Sequence, residues 1–188
     1  MAQDVATPEF VTLVDDDDNA IGAEEKLRAH RQGRLHRAFS IFVFDNDENL
    51  LMQRRSRMKY HSAGLWSNTC CGHPRPGEAT ETAAARRLAE ELGVSCELRV
   101  AFRLMYKADL GNSMIEHEVD HVFVGRSDQR PTANPLEVDE VAWVPLTQLR
   151  KDLDARPERY TYWLKLLLDN REWNRLEAIL ARSDRSEC

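Results

Sequence analysis

The sequence has no long hydrophobic run: no apolar stretch approaches the roughly 20 residues that a helix needs to cross a bilayer. Its first segment, Met1–Phe10, also lacks the basic start and apolar stretch of a secretory signal. With 26 Lys and Arg against 32 Asp and Glu, the chain lacks the basic surplus that nucleic acids and anionic membranes select. We therefore expect a cytoplasmic protein with neither a nucleic-acid nor a membrane partner.

Cysteine is equally sparse. The chain has four cysteines, Cys70, Cys71, Cys96 and Cys188. Two are adjacent and one is terminal, which is a poor disulfide framework for 188 residues, so free thiols are expected. Hydrophobic residues reach 42%, enough for one sizeable core. Because no repeat or low-complexity linker interrupts the chain, we expect a single domain over 1–188, with a core at about 34–146 and C-terminal helices at about 147–182.

The order of apolar patterns predicts the fold class. Period-two and β-branched patterns predict strands at 10–14, 35–44, 50–54, 98–106, 115–125 and 141–145. The turn at 45–49 predicts that the second and third of these strands form a hairpin. Helical patterns cover about 24–30, about 80–92, where Gly93 follows as a terminator, and the tail from Thr147, including 162–168 and 173–180. The class is therefore α+β, an α/β sandwich.

A loop and a charged helix between Gly72 and Val94 carry the first chemical signal. Gly72-His-Pro-Arg-Pro-Gly-Glu78 is followed by Arg86-Arg87-Leu-Ala-Glu90-Glu91-Leu-Gly93. Residues four apart share a helix face, which pairs Glu90 with Arg86 and Glu91 with Arg87. Two interpretations stay open: ordinary surface salt bridges, or carboxylates that hold divalent cations against a diphosphate, because Mg2+ readily shares oxygen ligands with substrate phosphates.

This segment resembles a Nudix box. Where the box of diphosphate hydrolases carries Arg-Glu, this chain carries Arg86-Arg87, so a cation replaces a carboxylate. Arginine is suited to grip a phosphate rather than to help break its anhydride. The resemblance implies a Nudix-like mixed β-sheet core flanked by helices, with additional C-terminal helices, and a diphosphate that is bound without being cut.

Histidines and carboxylates form the second signal. Glu116 and Glu118 are two apart in a predicted strand and therefore face one side, whereas His117 faces the other. Two carboxylates side by side repel each other unless a cation joins them. His30, His36 and His73 precede them in sequence, and such a mixed nitrogen and oxygen set suits Mg2+, Mn2+ or Zn2+. Each histidine taken alone is more often structural, so only the fold can assemble the site.

Four segments together are similar to type I isopentenyl-diphosphate isomerases. They are Arg34-Leu35-His36-Arg-Ala-Phe-Ser40, Trp66-Ser-Asn-Thr-Cys-Cys71-Gly-His73-Pro74, Glu90-Glu91-Leu-Gly93 and Glu116-His-Glu118-Val. The similarity extends from about Leu13 to Trp163. It implies an enzyme of isoprenoid biosynthesis that interconverts isopentenyl and dimethylallyl diphosphate through a tertiary carbocation. One group would protonate the terminal alkene carbon while another removes a proton from the neighbouring methylene.

The same resemblance implies the catalytic residues. Cys71 and Glu118 exchange protons with the substrate, Tyr106 steers a proton, and the indole of Trp163 stabilises the carbocation. Tyr106 and Trp163 could equally be core aromatics. The adjacent Cys70 should face the other side of its strand and pack internally, because neighbouring strand residues point to opposite faces.

The resemblance also implies two metal sites and a phosphate-binding set. The first site holds Mn2+, Zn2+ or Mg2+ and comprises His30, His36, His73, Glu116 and Glu118; a substrate-bound Mg2+ is held through Glu91. The diphosphate contacts are Lys26, Arg55, Lys59 and Arg87. Arg55, Arg57 and Lys59 recur every second residue, so an extended segment would present them on one side, with a solvated basic face as the alternative.

Two other functions stay open at this stage. One is a Nudix hydrolase of nucleoside or prenyl diphosphates, and the other is a non-catalytic module that binds diphosphate or metal. Arg87 opposes the hydrolase, and both alternatives leave the Cys-Gly-His and Glu-x-Glu segments without a role. We expect a small-molecule prenyl diphosphate as the partner, and a monomer or weak oligomer.

Overall fold

A computed structural model describes residues 8–169 and residue 171. The strands are β1 (Phe10–Val14), β2 (Ala20–Glu25), β3 (His36–Phe44), β4 (Asn49–Arg55), β5 (Trp66–Ser67), β6 (Cys70–Gly72), β7 (Leu98–Asp109), β8 (Ile115–Arg126) and β9 (Val138–Pro145). The helices are α1 (Lys26–Gln32), α2 (Thr80–Leu92), α3 (Leu146–Ala155) and α4 (Tyr162–Asp169), with a 3-10 turn at Pro157–Arg159. The predicted helical pattern at 173–180 lies outside the described residues.

All of these strands belong to one mixed sheet centred on β3. β3 pairs in parallel with β8 and antiparallel with β1 and β6, and β7 extends the sheet beyond β8. The predicted hairpin of β3 and β4 is present, but the two strands pair only at Phe44 and Leu50, next to the turn. From there β4 pairs with the distant β9 and the short β5.

The alternation of β3 divides the core into two layers. Phe39, Ile41 and Val43 pack with residues of α2, whereas Phe42 and Phe44 pack with residues of α3 and α4. Burying a side chain of this size stabilises the fold by about 1.5–3 kcal/mol. The sheet therefore lies between helices on both sides, and the predicted α/β sandwich is confirmed.

The helix ends follow local chemistry. α1 begins after Glu25, whose carboxylate accepts hydrogen bonds from the backbone N–H groups of Leu27 and Arg28. This helix starts two residues later than predicted because the preceding 20–25 segment forms β2, a strand that the sequence did not indicate. α2 ends as predicted at Gly93, which has a φ of +64°. Among the described residues, no helix is both long and apolar enough to span a bilayer.

The inner face of β8 positions the site. Glu116, Glu118 and Asp120 point to the same side of the strand as Val122 and Val124, and the two valines join the core beneath α3 and α4. One half of this face is thus apolar core and the other half is a buried acidic surface. His117 faces away, and its Nδ1 lies 2.9 Å from the carbonyl oxygen of Gly33, in agreement with the predicted alternation.

Candidate active site

A cavity of about 710 Å3 opens over the acidic half of β8, within the range typical of small-molecule sites. Ten of the thirteen predicted site residues line it: Lys26, Arg55, Lys59, Cys71, His73, Arg87, Tyr106, Glu116, Glu118 and Trp163. His30 and His36 are not among the lining residues, because both side chains are fully buried. The fold therefore collects residues from positions 26 to 163 into one place.

A group of imidazoles and carboxylates forms one wall of the cavity. Ligand atoms of His30, His36, His73 and Glu118 lie within 4.8 Å of one another. His30 and His36 each direct Nδ1 to a backbone carbonyl, that of Lys26 at 2.7 Å and that of Arg34 at 2.8 Å. Such backbone contacts fix the tautomer and leave Nε2 to face the group.

Several atoms in this wall are buried without a hydrogen-bond partner. They are Nε2 of His30, Nε2 of His36 and Oε2 of Glu116. His30 Nε2 and Glu116 Oε2 approach to 3.1 Å, but their orientation does not form a hydrogen bond. Because an unsatisfied buried polar atom costs about 1–3 kcal/mol, a cluster of such lone-pair donors favours the binding of a cation. The donor set and its orphaned atoms therefore fit a divalent cation.

The charges of this wall are strongly perturbed. Burial raises the pKa of Glu116, and the neighbouring negative charge of Glu118 raises it further. Burial also opposes ionisation of Glu118, but the nearby imidazole of His36 and the hydrogen bond from Nε2 of His73, 2.9 Å from Oε1 of Glu118, outweigh it and hold the pKa of Glu118 well below its usual range. Burial lowers the pKa of His73 to about 3, so that imidazole is neutral and retains a lone pair for metal binding.

Cys71 faces the cavity from β6 while Cys70 is fully buried among the core residues under α2, as the strand alternation predicts. The Cys71 thiol donates to Oδ1 of Asn68 at 3.1 Å. Burial raises the pKa of Cys71 to about 12, with the nearby Asp120 as the next cause, so the group is a neutral thiol near pH 7. Gly72 is required beside it because a Cβ there would lie 2.9 Å from Cζ of Phe39.

Tyr106 and Trp163 both contact groups of the site. The Tyr106 hydroxyl donates to Oε2 of Glu118 at 2.7 Å. The Trp163 indole is almost fully buried, and its Nε1 donates to Oγ of Ser67 at 2.9 Å. Each aromatic also lines the cavity, so packing and contact with a ligand are compatible roles.

The predicted phosphate-binding cations form the other wall, and carboxylates already pair with most of them. Lys26 Nζ lies 2.8 Å from Oε2 of Glu9, and Lys59 and Arg87 share Glu137. Arg55 instead places its guanidinium 5.2 Å from the ring centre of Trp163, and its Nε is buried without a hydrogen-bond partner. This wall is therefore cationic but screened by carboxylates that an anionic ligand could displace.

Two predictions about this wall need qualification. The 56–64 segment is a loop rather than an extended strand, so Arg57 is highly exposed near Asp139 and does not line the cavity; the prediction that it aligns with Arg55 and Lys59 is wrong. Glu91 is buried behind Arg87, with one oxygen bonded to that arginine and the other to Nε2 of Gln53 at 2.9 Å. Glu91 thus presents no free oxygen to the cavity, and its role as a magnesium ligand stays a prediction.

Three residues of the site were not predicted from the sequence. His61 and Glu137 come from loops, where no periodicity indicates the direction of a side chain. Asp120 extends the Glu116 and Glu118 alternation by one step, which could have indicated it. It is fully buried and accepts a hydrogen bond from Oγ of Ser40 at 2.8 Å.

Comparison with known proteins gives consistent matches. Residues 34–164 match the family model of the NUDIX domain. Isopentenyl-diphosphate Delta-isomerase 2 of Aromatoleum aromaticum is 55% identical over 159 residues, covering 85% of this chain and 84% of its own length. The protein of the same name from Photorhabdus laumondii is 52% identical over 174 residues, covering 89% and 98%.

Solved structures support the same fold. A Deinococcus radiodurans protein matches with a TM-score of 0.67 at 24% identity, covering 79% of this chain and 90% of its own. A MutT NUDIX hydrolase from Burkholderia pseudomallei matches with a TM-score of 0.57 at 21% identity, covering 73% and 98%. At these identities the likeness concerns the fold alone. From the domain match and the curated relatives together, the chain belongs to the Nudix superfamily and, within it, to the isopentenyl-diphosphate Delta-isomerase family.

Proposed function

We propose that the protein interconverts isopentenyl diphosphate and dimethylallyl diphosphate, an allylic isomerisation in isoprenoid biosynthesis. The observation that carries the proposal is that one cavity combines three features: a cationic wall, a histidine–carboxylate wall, and the neutral thiol of Cys71. An anion-binding site alone would not need the thiol or the buried histidines. The relatives above that are 52% and 55% identical carry the name of this activity.

The diphosphate binds the cationic wall in this proposal. Lys26, Arg55, Lys59 and Arg87 line the cavity, and the ligand would take the place of Glu9 and Glu137 as their partner. Holding the charged end fixes the position of the hydrocarbon end, and such positioning is a large part of catalysis in well-oriented reactions. Mg2+ would accompany the diphosphate. To bind this Mg2+, the carboxylate of Glu91 would have to release one of its present partners, Arg87 or Gln53.

Two protein groups move the protons. Cys71 carries a proton at neutral pH because its thiol is buried, whereas Glu118 is held as a carboxylate. In the forward direction, one group adds a proton to the terminal alkene carbon, which leaves a tertiary carbocation, and the other accepts a proton from the adjacent methylene. The hydroxyl of Tyr106 is bonded to Glu118 and can relay a proton to it or away from it.

The carbocation requires an environment without water. The indole of Trp163 lines the cavity, and its face can stabilise a desolvated cation by roughly 2 kcal/mol. A divalent ion (Mn2+, Zn2+ or Mg2+) held by His30, His36, His73, Glu116 and Glu118 would neutralise the paired carboxylates and fix the orientation of Glu118. The metal dependence of the reaction is part of this proposal.

We also propose that the protein acts in the cytoplasm as a monomer or weak oligomer, without a nucleic-acid or membrane partner. The described cysteines, Cys70, Cys71 and Cys96, are free thiols, which supports a reducing compartment.

The reaction is tested by incubating the protein with Mg2+ and isopentenyl diphosphate in D2O while recording proton and phosphorus NMR spectra. We expect dimethylallyl diphosphate to appear, deuterium to enter the hydrocarbon, and no phosphate to be released. Released phosphate would establish a hydrolase instead. Unchanged spectra from metal-loaded protein would leave a binding module.

A further inference from the structure

His61 reaches the histidine–carboxylate wall from the loop between β4 and β5. Its ring centre lies 5.9 Å from that of His30, nearly parallel to it, and 5.9 Å from that of Trp163, edge-on. Its Nε2 lies 3.5 Å from Oε1 of Glu116. The side chain is only 10% exposed and lines the cavity. A loop histidine is thus placed against the buried wall rather than in solvent.

The three residues His30, His61 and Glu116 have ligand atoms within 4.8 Å of one another, in a position adjacent to the four-residue group described above. Donors bound to one ion at about 2.0–2.2 Å lie at most about 4.4 Å apart, so only small movements would bring all three to a common ion. This geometry alone would also suit simple packing of His61 against Trp163.

The unpaired atoms beside His61 indicate that a cation would bind within its reach. His30 is fully buried, its Nδ1 is committed to the carbonyl of Lys26, and its Nε2 has no hydrogen-bond partner. Oε2 of Glu116, a residue that is 97% buried, also lacks one. A cation held by this wall satisfies both atoms, and Nε2 of His61, 3.5 Å from Oε1 of Glu116 and grouped with His30 and Glu116, is close enough to bind the same ion.

We propose that His61 is a ligand of the divalent metal centre, binding through Nε2 beside His30 and Glu116. The centre then has four imidazoles, those of His30, His36, His61 and His73. His61 also connects the centre to the cationic wall, because Arg55 and Lys59 precede it closely in the chain and line the same cavity. The inference rests on the metal centre of the proposed function but not on the isomerisation itself.

The test measures metal binding rather than catalysis. Protein stripped with a chelator is titrated with Zn2+ against a chromophoric chelator, and the Zn2+-loaded protein is examined by X-ray absorption at the zinc edge. We expect four imidazoles in the unaltered protein and three in His61→Ala, with a Zn2+ affinity at least about 10-fold weaker in the variant, since even residues that only orient a ligand typically contribute that much. His117→Ala is the matched control, since His117 lies on the opposite side of β8 against Gly33.

Each outcome has a defined meaning. Three imidazoles in the unaltered protein, or a Zn2+ affinity of His61→Ala within twofold of it, would overturn the proposal. Weaker binding with three imidazoles in both proteins would also overturn it, because His61 would then act only on Glu116. If His61→Ala does not fold without metal, the imidazole count of the unaltered protein still decides. A protein that binds no Zn2+, Mn2+ or Mg2+ would instead remove the metal centre and the metal dependence of the proposed function.

Discussion

The adjacent cysteines of β6 allow chemistry and packing to be separated with two substitutions. Cys71 lines the cavity and donates to Asn68, whereas Cys70 is completely buried in the core next to α2. Cys71→Ala removes the thiol that carries a proton in the proposed reaction. Cys70→Ala removes the same atoms from the same strand, but on the opposite face. The pair therefore forms a matched experiment.

The two variants should differ strongly in kcat and only slightly in unfolding free energy. Loss of a proton-transferring group typically costs about 10²–10⁴ in rate, so kcat should fall by at least 100-fold in Cys71→Ala. Its unfolding free energy should fall by only about 1 kcal/mol, the net value of one hydrogen bond. Cys70→Ala should keep its kcat within about twofold, whereas its unfolding free energy falls by about 1–2 kcal/mol for lost burial and the cavity left behind.

The assay follows dimethylallyl diphosphate by NMR and unfolding by urea titration, with inorganic pyrophosphate binding as a check on the cationic wall. Pyrophosphate affinity should be unchanged in both variants. A Cys71→Ala protein that retains a tenth or more of its kcat would refute the role of the thiol. A Cys70→Ala protein that is stable but equally inactive would show that the strand, rather than the Cys71 side chain, is what the reaction needs.

Three further predictions concern other parts of the site and its frame. Trp163→Leu should lower kcat by roughly 30-fold, the equivalent of roughly 2 kcal/mol of cation stabilisation, with a smaller loss in Trp163→Phe; equal losses would contradict a role for the ring. Arg87→Gln should raise the KM for isopentenyl diphosphate about tenfold with less effect on kcat, whereas a change in unfolding free energy alone would make Arg87 only a partner of Glu137. Burial raises the pKa of Asp18, but the hydrogen bond from Arg37 and the nearby charges of His121 and Arg37 outweigh it, so the pKa is lowered. The ionised carboxylate therefore stabilises the fold above about pH 4, and this contribution disappears as the pH falls through the folded-state pKa. Asp18→Asn should therefore cost about 1 kcal/mol in urea unfolding at pH 7, and this cost should shrink as the pH is lowered below about 4; a cost that does not change with pH would contradict the assignment.

Local patterns in the sequence were sufficient to predict those features of the structure that depend on residues close together in the chain. The side to which Glu116 and Glu118 point follows from strand alternation, and the end of α2 follows from Gly93. The partner of β4 could not be found in this way, because Leu51 pairs with Trp143, far along the chain. β2 was missed because residues such as Gly22 have little strand preference, and it is held at the sheet edge by pairing with β1.

The site residues that lie in loops were the ones that the sequence pattern predicted least well. Arg55 and Lys59 were predicted from the resemblance and do line the cavity, but the regular spacing that also included Arg57 failed once the segment proved to be a loop. His61 lies in the same loop and contacts the histidine–carboxylate wall, a contact that no spacing in the sequence indicated. Loop direction depends on tertiary contacts, here those with Glu116 and the rings of His30 and Trp163, which no local pattern encodes.

The helix that gives the superfamily its box has a changed electrostatic role in this protein. Glu78 pairs with Arg86, Glu90 pairs with both arginines, and Glu91 pairs with Arg87. A hydrolytic metal needs free carboxylate oxygens at this helix, but here the carboxylates are neutralised and both arginines line the cavity. The orphaned metal-ligand atoms lie instead in the wall built from α1, β3 and β8. In the proposed function, the arginines of this helix would therefore hold the diphosphate, and the proton transfer would take place at the wall that contains Glu118.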